Sequence, residues 1–225
     1  MVKPVLVFDM DGVLVEVSES YREAIVQTVK HFTGQTISRE SIQDYKNQGG
    51  WNNDWALSQK ICADLGVEVA YNNVVNVFNE LFLGENGDGL ITRERWLPKP
   101  GLLERLAETY TLAIFTGRLR YEADITLNRS AQGIPFKHII CAEHVENAKP
   151  APDGLHMIAA QEPGARIVYV GDTVDDARSG SAANVPFIGV AAKDHSLRAE
   201  LLALFEAEKA FGVIQEINEI EGLLK

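Results

Sequence analysis

Residues 5–12 read Val-Leu-Val-Phe-Asp-Met-Asp-Gly. Four apolar residues in a row suit a strand buried on both faces, the habit of a parallel sheet covered by helices. Asp9, Asp11 and Gly12 follow at once. Polar residues directly after such a strand sit where open parallel sheets bind ligands, beyond the carboxyl ends of the strands. Two carboxylates at i and i+2 on an extended chain point to the same side, about 6.5 Å apart along it. One can attack an electrophile while the other handles protons. Gly12 lets the backbone approach a bound anion with no Cβ in the way.

Working outward, the texture changes for about 80 residues, a length that suits an inserted helical unit. Tyr21, Ile25, Val29 and Phe32 fall at helical spacing within 18–33, with Ser18 or Ser20 as N-cap. Further helices are expected from Ser38, over 53–65 and over 71–83. From Pro98 onward strands and helices alternate, as in βαβ units. Strands are predicted at 111–115, 138–141, 166–170 and 186–190, the last followed only by helices. The predicted fold is a doubly wound, Rossmann-like α/β core, 1–16 with 98–225, carrying a helical cap at 17–97.

Three more polar stretches follow apolar runs: Thr116-Gly117-Arg118, Lys149-Pro150, and Gly171-Asp172-Thr173-Val174-Asp175-Asp176. In order and spacing, "FDMDGVL", "LAIFTGR", "AKPAPDG" and "VYVGDTVDDARSG" resemble the four motifs of the haloacid dehalogenase-like superfamily. The insertion between the first two is similar to the helical cap of its phosphoglycolate phosphatase-like branch. The resemblance implies a phosphatase that works through an aspartyl-phosphate, with Asp9 as nucleophile and Asp11 as general acid and then base. It also implies Mg²⁺ held by the Asp9 carboxylate, the Asp11 backbone carbonyl and Asp172, an all-oxygen set that suits a hard cation. Behind them stands Asp176 or Asp175, a choice that the motif leaves open. Lys149 neutralises Asp9 and a phosphate oxygen, while Thr116 and Gly117 supply a hydroxyl and an N–H to the others. Arg118 departs from the asparagine common at its position and is expected to contact substrate or cap.

The bulk properties agree with such an enzyme. Hydrophobic residues are 46% and charged residues 24%, and 21 basic against 32 acidic side chains leave a net charge of -11. That balance argues against nucleic acid and anionic membranes as partners. The partner expected is a small phosphorylated metabolite, and the protein a monomer or homodimer. Cys62 and Cys141 have no CxxC spacing, so a disulfide framework or thiolate metal site is not expected and a reducing cytoplasm fits. The apolar start is broken by Asp9 and Asp11 and has no small-residue cleavage site, and no run of about 20 apolar residues exists to span a membrane.

Within the cap, "YKNQGGWNNDW" (45–55) gathers two tryptophans, three asparagines and a lysine. Lys46, Asn52 and Asn53 are candidates to hydrogen-bond a substrate and Trp51 to pack on it; the plain alternative is a helix–loop–helix corner. "GENGDGLITRER" (84–95) resembles the middle of an EF-hand loop, but Gly84 and Arg95 occupy its first and twelfth positions, so it reads as a turn. The five histidines show no ligand spacing. Alternatives within the superfamily are a phosphomutase or phosphotransferase, or a phosphonate hydrolase with Lys46 as its Schiff-base amine. A phospho-Asp receiver domain is disfavoured by the position of the acidic pair and by the long insertion.

Overall fold

The computed structural model describes residues 2–85, 87–193 and 197–224. Asn86, in the EF-hand-like stretch, and His195 lie outside the described residues. The chain forms two compact units, Met1–Val15 with Trp96–Lys225, and Glu16–Arg95.

Strand β1 (Val5–Phe8) opens the first unit and β2 (Val15–Glu16) leaves it. The second unit holds α1 (Tyr21–Thr33), α2 (Arg39–Gln48), α3 (Asp54–Asp64) and α4 (Tyr71–Leu83), and β3 (Arg95–Trp96) leads back. There follow α5 (Leu102–Thr109), β4 (Thr111–Phe115), α6 (Arg120–Ser130), β5 (Phe136–Ile140), α7 (Asp153–Gln161), β6 (Ile167–Gly171), α8 (Val174–Ala182), β7 (Phe187–Val190), α9 (Arg198–Ala207) and β8 (Gly212–Ile214). Strands β2 and β3 make a sheet of their own.

The main sheet has the order β5-β4-β1-β6-β7-β8, parallel throughout. Strand β1 lies in the middle, with Phe8 in register with Ile114 on one side and Val170 on the other. Both of its faces are covered. Val5 and Val7 join Phe115, Tyr169, Leu155 and Ile158 in one buried cluster, and Leu6 and Phe8 are equally inaccessible on the opposite face. Successive strands are added to one side of β1 and then to the other, so the connections diverge at β1 and open a crevice at its carboxyl end. Strand β8 was not expected after β7. It is a three-residue edge strand paired in parallel with β7, too short to show a pattern against the helices around it.

The second unit is a small helical assembly. Helix α1 buries Tyr21, Ala24, Ile25 and Val29, and α4 buries Val74, Phe78 and Phe82. The Tyr21 and Phe82 rings lie 4.0 Å apart and Trp55 stands edge-on to Phe78 at 6.4 Å. Ser38 caps α2 by accepting a bond from the Ser41 N–H, and Asn53 caps α3 by accepting one from the Ala56 N–H. Such caps satisfy backbone donors that the first helical turn leaves without partners.

Candidate active site

Asp9 follows β1 directly, and its N–H donates to the Val170 carbonyl at 2.8 Å. The residue is buried. Next to it Gly12 has φ +71°, and a Cβ there would lie 2.0 Å from Asp172 Oδ2. Glycine is therefore required twice, for the left-handed backbone and for the close approach of the loop to the Asp172 carboxylate. Carboxylate oxygens of Asp9, Asp172 and Asp176 lie within 4.8 Å of one another.

Three carboxylates so close in a buried place need cations. Lys149 supplies one: its Nζ donates to Asp9 Oδ1 at 2.8 Å and to Asp176 Oδ1 at 2.7 Å. The ammonium also lies over the Phe115 ring, 4.9 Å from its centroid. Burial alone would lower the Lys149 pKa, but Asp176 and Asp9 outweigh it and hold the ammonium above its usual range. Asp176 is held by four donors. Lys149 and the Tyr169 hydroxyl reach Oδ1, and the Thr173 N–H and Oγ1 reach Oδ2 at 3.0 and 2.6 Å. Burial would raise its carboxyl, yet Lys149 and these hydrogen bonds keep it below its usual range. Asp9 has fewer donors. Burial raises its pKa to about 7, Lys149 opposing and Asp176 and Asp11 adding. A cation beside Asp9 would relieve that strain, and the all-oxygen set of Asp9 and Asp172 suits a hard divalent ion.

Asp175 and Asp176 are separated by helix phase. Thr173 is the N-cap of α8 and Asp176 sits three residues on, completing a capping box that turns its carboxylate back toward the strand end. Asp175 is buried too, with Arg178 Nη1 at 4.0 Å. Lys149 reaches Asp176.

Thr116 is buried at the end of β4, and its Oγ1 accepts from the Arg118 N–H at 3.2 Å. Arg118 turns inward. Its Nε and Nη2 donate to Asp11 Oδ1 at 2.8 and 2.6 Å, and Nη1 donates to Thr126 Oγ1 at 2.8 Å. The sequence reading missed Tyr169 altogether. Its hydroxyl donates to Asp176 at 2.6 Å, and burial beside that anion keeps it protonated. A tyrosine inside a strand buried on both faces was itself a signal, since a buried phenol needs a hydrogen-bond partner.

Among the cap candidates, Lys46 pairs with Asp54 at 2.8 Å and donates to the Trp51 carbonyl at 3.4 Å. Asn53 is the α3 N-cap, and its amide nitrogen donates to the Tyr71 hydroxyl at 3.1 Å. Trp51 stands edge-on to Tyr45, with ring centroids 6.2 Å apart.

The description of the family "Haloacid dehalogenase-like hydrolase" matches residues 6–190. The chain belongs to that family. These are the hydrolases whose four motifs its strand ends resemble, and all four motifs fall inside the match. An imidazoleglycerol-phosphate dehydratase of Phytophthora nicotianae is 35% identical over 203 residues, 84% of this chain; the chain spans 44% of that relative's length. A Bacillus velezensis pyrophosphatase is 22% identical over 97% of this chain and 96% of its own. A crystal structure from Haemophilus somnus, named as a predicted phosphoglycolate phosphatase, superposes with a TM-score of 0.77 at 19% identity, covering 99% of this chain and 98% of that one. That likeness is one of fold. No helix among the described residues is long and apolar enough to cross a membrane.

Proposed function

We propose that this haloacid dehalogenase-like hydrolase is a Mg²⁺-dependent phosphatase acting on a small phosphate monoester. The reading rests chiefly on Asp9: a buried carboxylate at the end of the central strand, one oxygen on Lys149 and a second acid two residues away. Asp9 attacks phosphorus as the bond to the leaving oxygen breaks, and Asp11 gives that oxygen its proton. Water then attacks the aspartyl-phosphate, Asp11 takes its proton, the bond to Asp9 breaks and phosphate departs. Lys149 screens Asp9 from the incoming anion and steadies a phosphate oxygen, and the Thr116 hydroxyl and Gly117 N–H are offered to the others. Asp9, Asp172 and the Asp11 carbonyl would hold the metal, which supplies the positive charge that ionises Asp9 and balances the phosphate. Asp176 and Tyr169 keep Lys149 in place.

The test is phosphate release from an aryl phosphate and from a panel of esters, with Mg²⁺ and with chelator, beside Asp9→Asn. The panel holds phosphoglycolate, sugar phosphates and, because of the Phytophthora relative, imidazole-bearing polyol phosphates. Metal-dependent release that falls at least about 10⁴-fold in Asp9→Asn is expected, since a nucleophile that acts as part of a unit takes most of the rate with it. No release by the wild type from any ester overturns the reading. Label passing between sugar phosphates would turn it toward a mutase.

A further inference from the structure

Arg118 is the one buried arginine among the described residues, and its pattern of bonds is asymmetric. Both Nε and Nη2 fall on the same oxygen, Asp11 Oδ1. The third nitrogen, Nη1, is tied to Thr126 on α6, itself buried. The Arg118 carbonyl accepts from the Ala142 N–H at 3.0 Å, and its own N–H is bound by Thr116. Main chain and side chain are therefore fixed by the core independently of Asp11. The Asp11 carboxylate differs: its side chain is 33% exposed, against 1% for Arg118. A guanidinium has only donors and stays charged throughout the working pH range. An oxygen that receives two of its N–H groups has no lone pair left aimed at a substrate.

We propose that Arg118 is a positioning residue that pins Asp11 by Oδ1 and so assigns proton transfer to Oδ2. The inference rests on the phosphatase reading with Asp9 as nucleophile and Asp11 as acid and base. With Oδ1 occupied, the carboxyl is held in one rotamer, and Oδ2 carries the proton to the leaving oxygen as the phosphorus–oxygen bond breaks. In the second half-reaction Oδ2 takes the proton from the water that attacks the aspartyl-phosphate. Any residue without a rigid fork of donors leaves Asp11 free to turn, so the preference at this position is for planar geometry as well as charge.

The consequence depends on the leaving group. A nitrophenolate leaves without a proton, whereas an alkyl alkoxide needs one. The experiment compares Arg118→Met with wild type on 4-nitrophenyl phosphate and on the best alkyl phosphate of the panel, adding pre-steady-state release of nitrophenol. For the alkyl ester kcat/KM should fall about 10²- to 10³-fold, the usual contribution of a placed general acid. For the aryl ester it should fall by less than about 10-fold, because transfer to Asp9 needs no acid there. Its kcat should drop, with a burst of one nitrophenol per enzyme, because hydrolysis of the aspartyl-phosphate still needs Asp11 as base. Thr126→Val, which keeps charge and volume and removes the hydroxyl that anchors Nη1, should show the same discrimination more weakly, and it serves if Arg118→Met does not fold. Equal losses on both esters with no burst would mean a merely structural arginine and overturn the proposal, as would no loss on either. Failure of the underlying reading looks different: wild type would show no metal-dependent release, or Asp9→Asn would turn over and give the burst itself.

Discussion

The strand-end site and the helical unit treat buried polar groups in opposite ways. At the carboxyl ends of β1, β4 and β6 the buried side chains include Asp9, Arg118, Lys149, Asp175 and Asp176, all ionisable. Inside helices α1–α4 the buried polar side chains are Thr28, Gln43, Asn47 and Ser58, hydroxyls and amides. Burying a charge costs several kcal/mol unless it is paired and hydrogen-bonded, and burying an amide costs far less. The core gathers five such groups at the strand ends and meets much of that expense with an interlocking network. Helices α1–α4 bury no charged side chain; Glu94, buried in the same unit, lies after them. Where charge is buried at such cost, a chemical role is the natural explanation; in the helices Ser58 bonds the Asp54 carbonyl and Gln43 bonds Asn47, each within its own helix, and local structure accounts for them.

The largest effect should come from removing the cation that holds the network together. Lys149→Met leaves Asp9 and Asp176 facing each other in a buried site without their shared partner. Breaking a buried pair in this way costs about 3–5 kcal/mol, a fall in Tm of roughly 10 °C or more for a chain this long. Phosphate release should fall by at least about 10³-fold, since Lys149 faces both nucleophile and phosphate. Added Mg²⁺ should raise the variant's Tm by more than it raises that of the wild type. A variant as stable as wild type would break the contrast between the two regions.

Tyr169→Phe sharpens the same point with one atom. It removes a donor from Asp176 Oδ1 and leaves Lys149 and Thr173 in place. A hydrogen bond to a charged group contributes about 1.5–3 kcal/mol, so thermal melting should show a drop of several degrees. Activity should fall by less than in Lys149→Met.

Asp9 gives the pH-dependent version. Its carboxyl is raised by burial from an ordinary 3.8 to about 7. A group whose folded pKa lies above its unfolded one contributes stability that is whole below the unfolded value and is lost as pH rises through the folded one. In metal-free protein that loss falls between about pH 4 and 7. Asp9→Asn, which cannot ionise, should therefore melt a few degrees above wild type at pH 8 in chelator, with the gap closing as pH falls toward 4. A chelated wild type that gains stability from pH 5 to pH 8 relative to Asp9→Asn would contradict this.

How much of this was legible in the sequence follows from the same physics. Strands β1, β4 and β6 are continuous apolar runs because both their faces are buried, and the polar residues that stop them mark the site. The family resemblance rests on those stops. What escaped depended on tertiary contacts. Nothing in the spacing of 107 residues brings Arg118 to Asp11, and Tyr169 reads as core because its ring is core and only its hydroxyl reaches Asp176. Strand β8 has too few residues to carry a period. The choice between Asp175 and Asp176 was within reach: Thr173 followed three residues later by Asp176 is a capping-box pattern, and it sets which acid turns back to the strand end.

The smallest expected effect is in the helical unit, where it weighs the two readings of Asn53. Its Oδ1 accepts from the Ala56 N–H at 2.9 Å as the N-cap of α3. Asn53→Ala should cost about 1 kcal/mol, the usual loss when a capping side chain becomes alanine, or roughly 2–4 °C in Tm. Aspartate caps as well as asparagine does, and its charge suits a helix N-terminus. Asn53→Asp should therefore keep the stability that alanine loses. A phosphorylated substrate sees the opposite order, because a new carboxylate repels the phosphate whereas alanine is merely silent. If Asn53 serves the helix, KM on the best ester stays near wild type in Asn53→Asp and stability separates the two variants. If Asn53 touches substrate, KM rises more for aspartate than for alanine while melting ranks them the other way. In that case the helical unit would carry a binding residue that also caps a helix, and local structure would not be a sufficient account of its polar side chains.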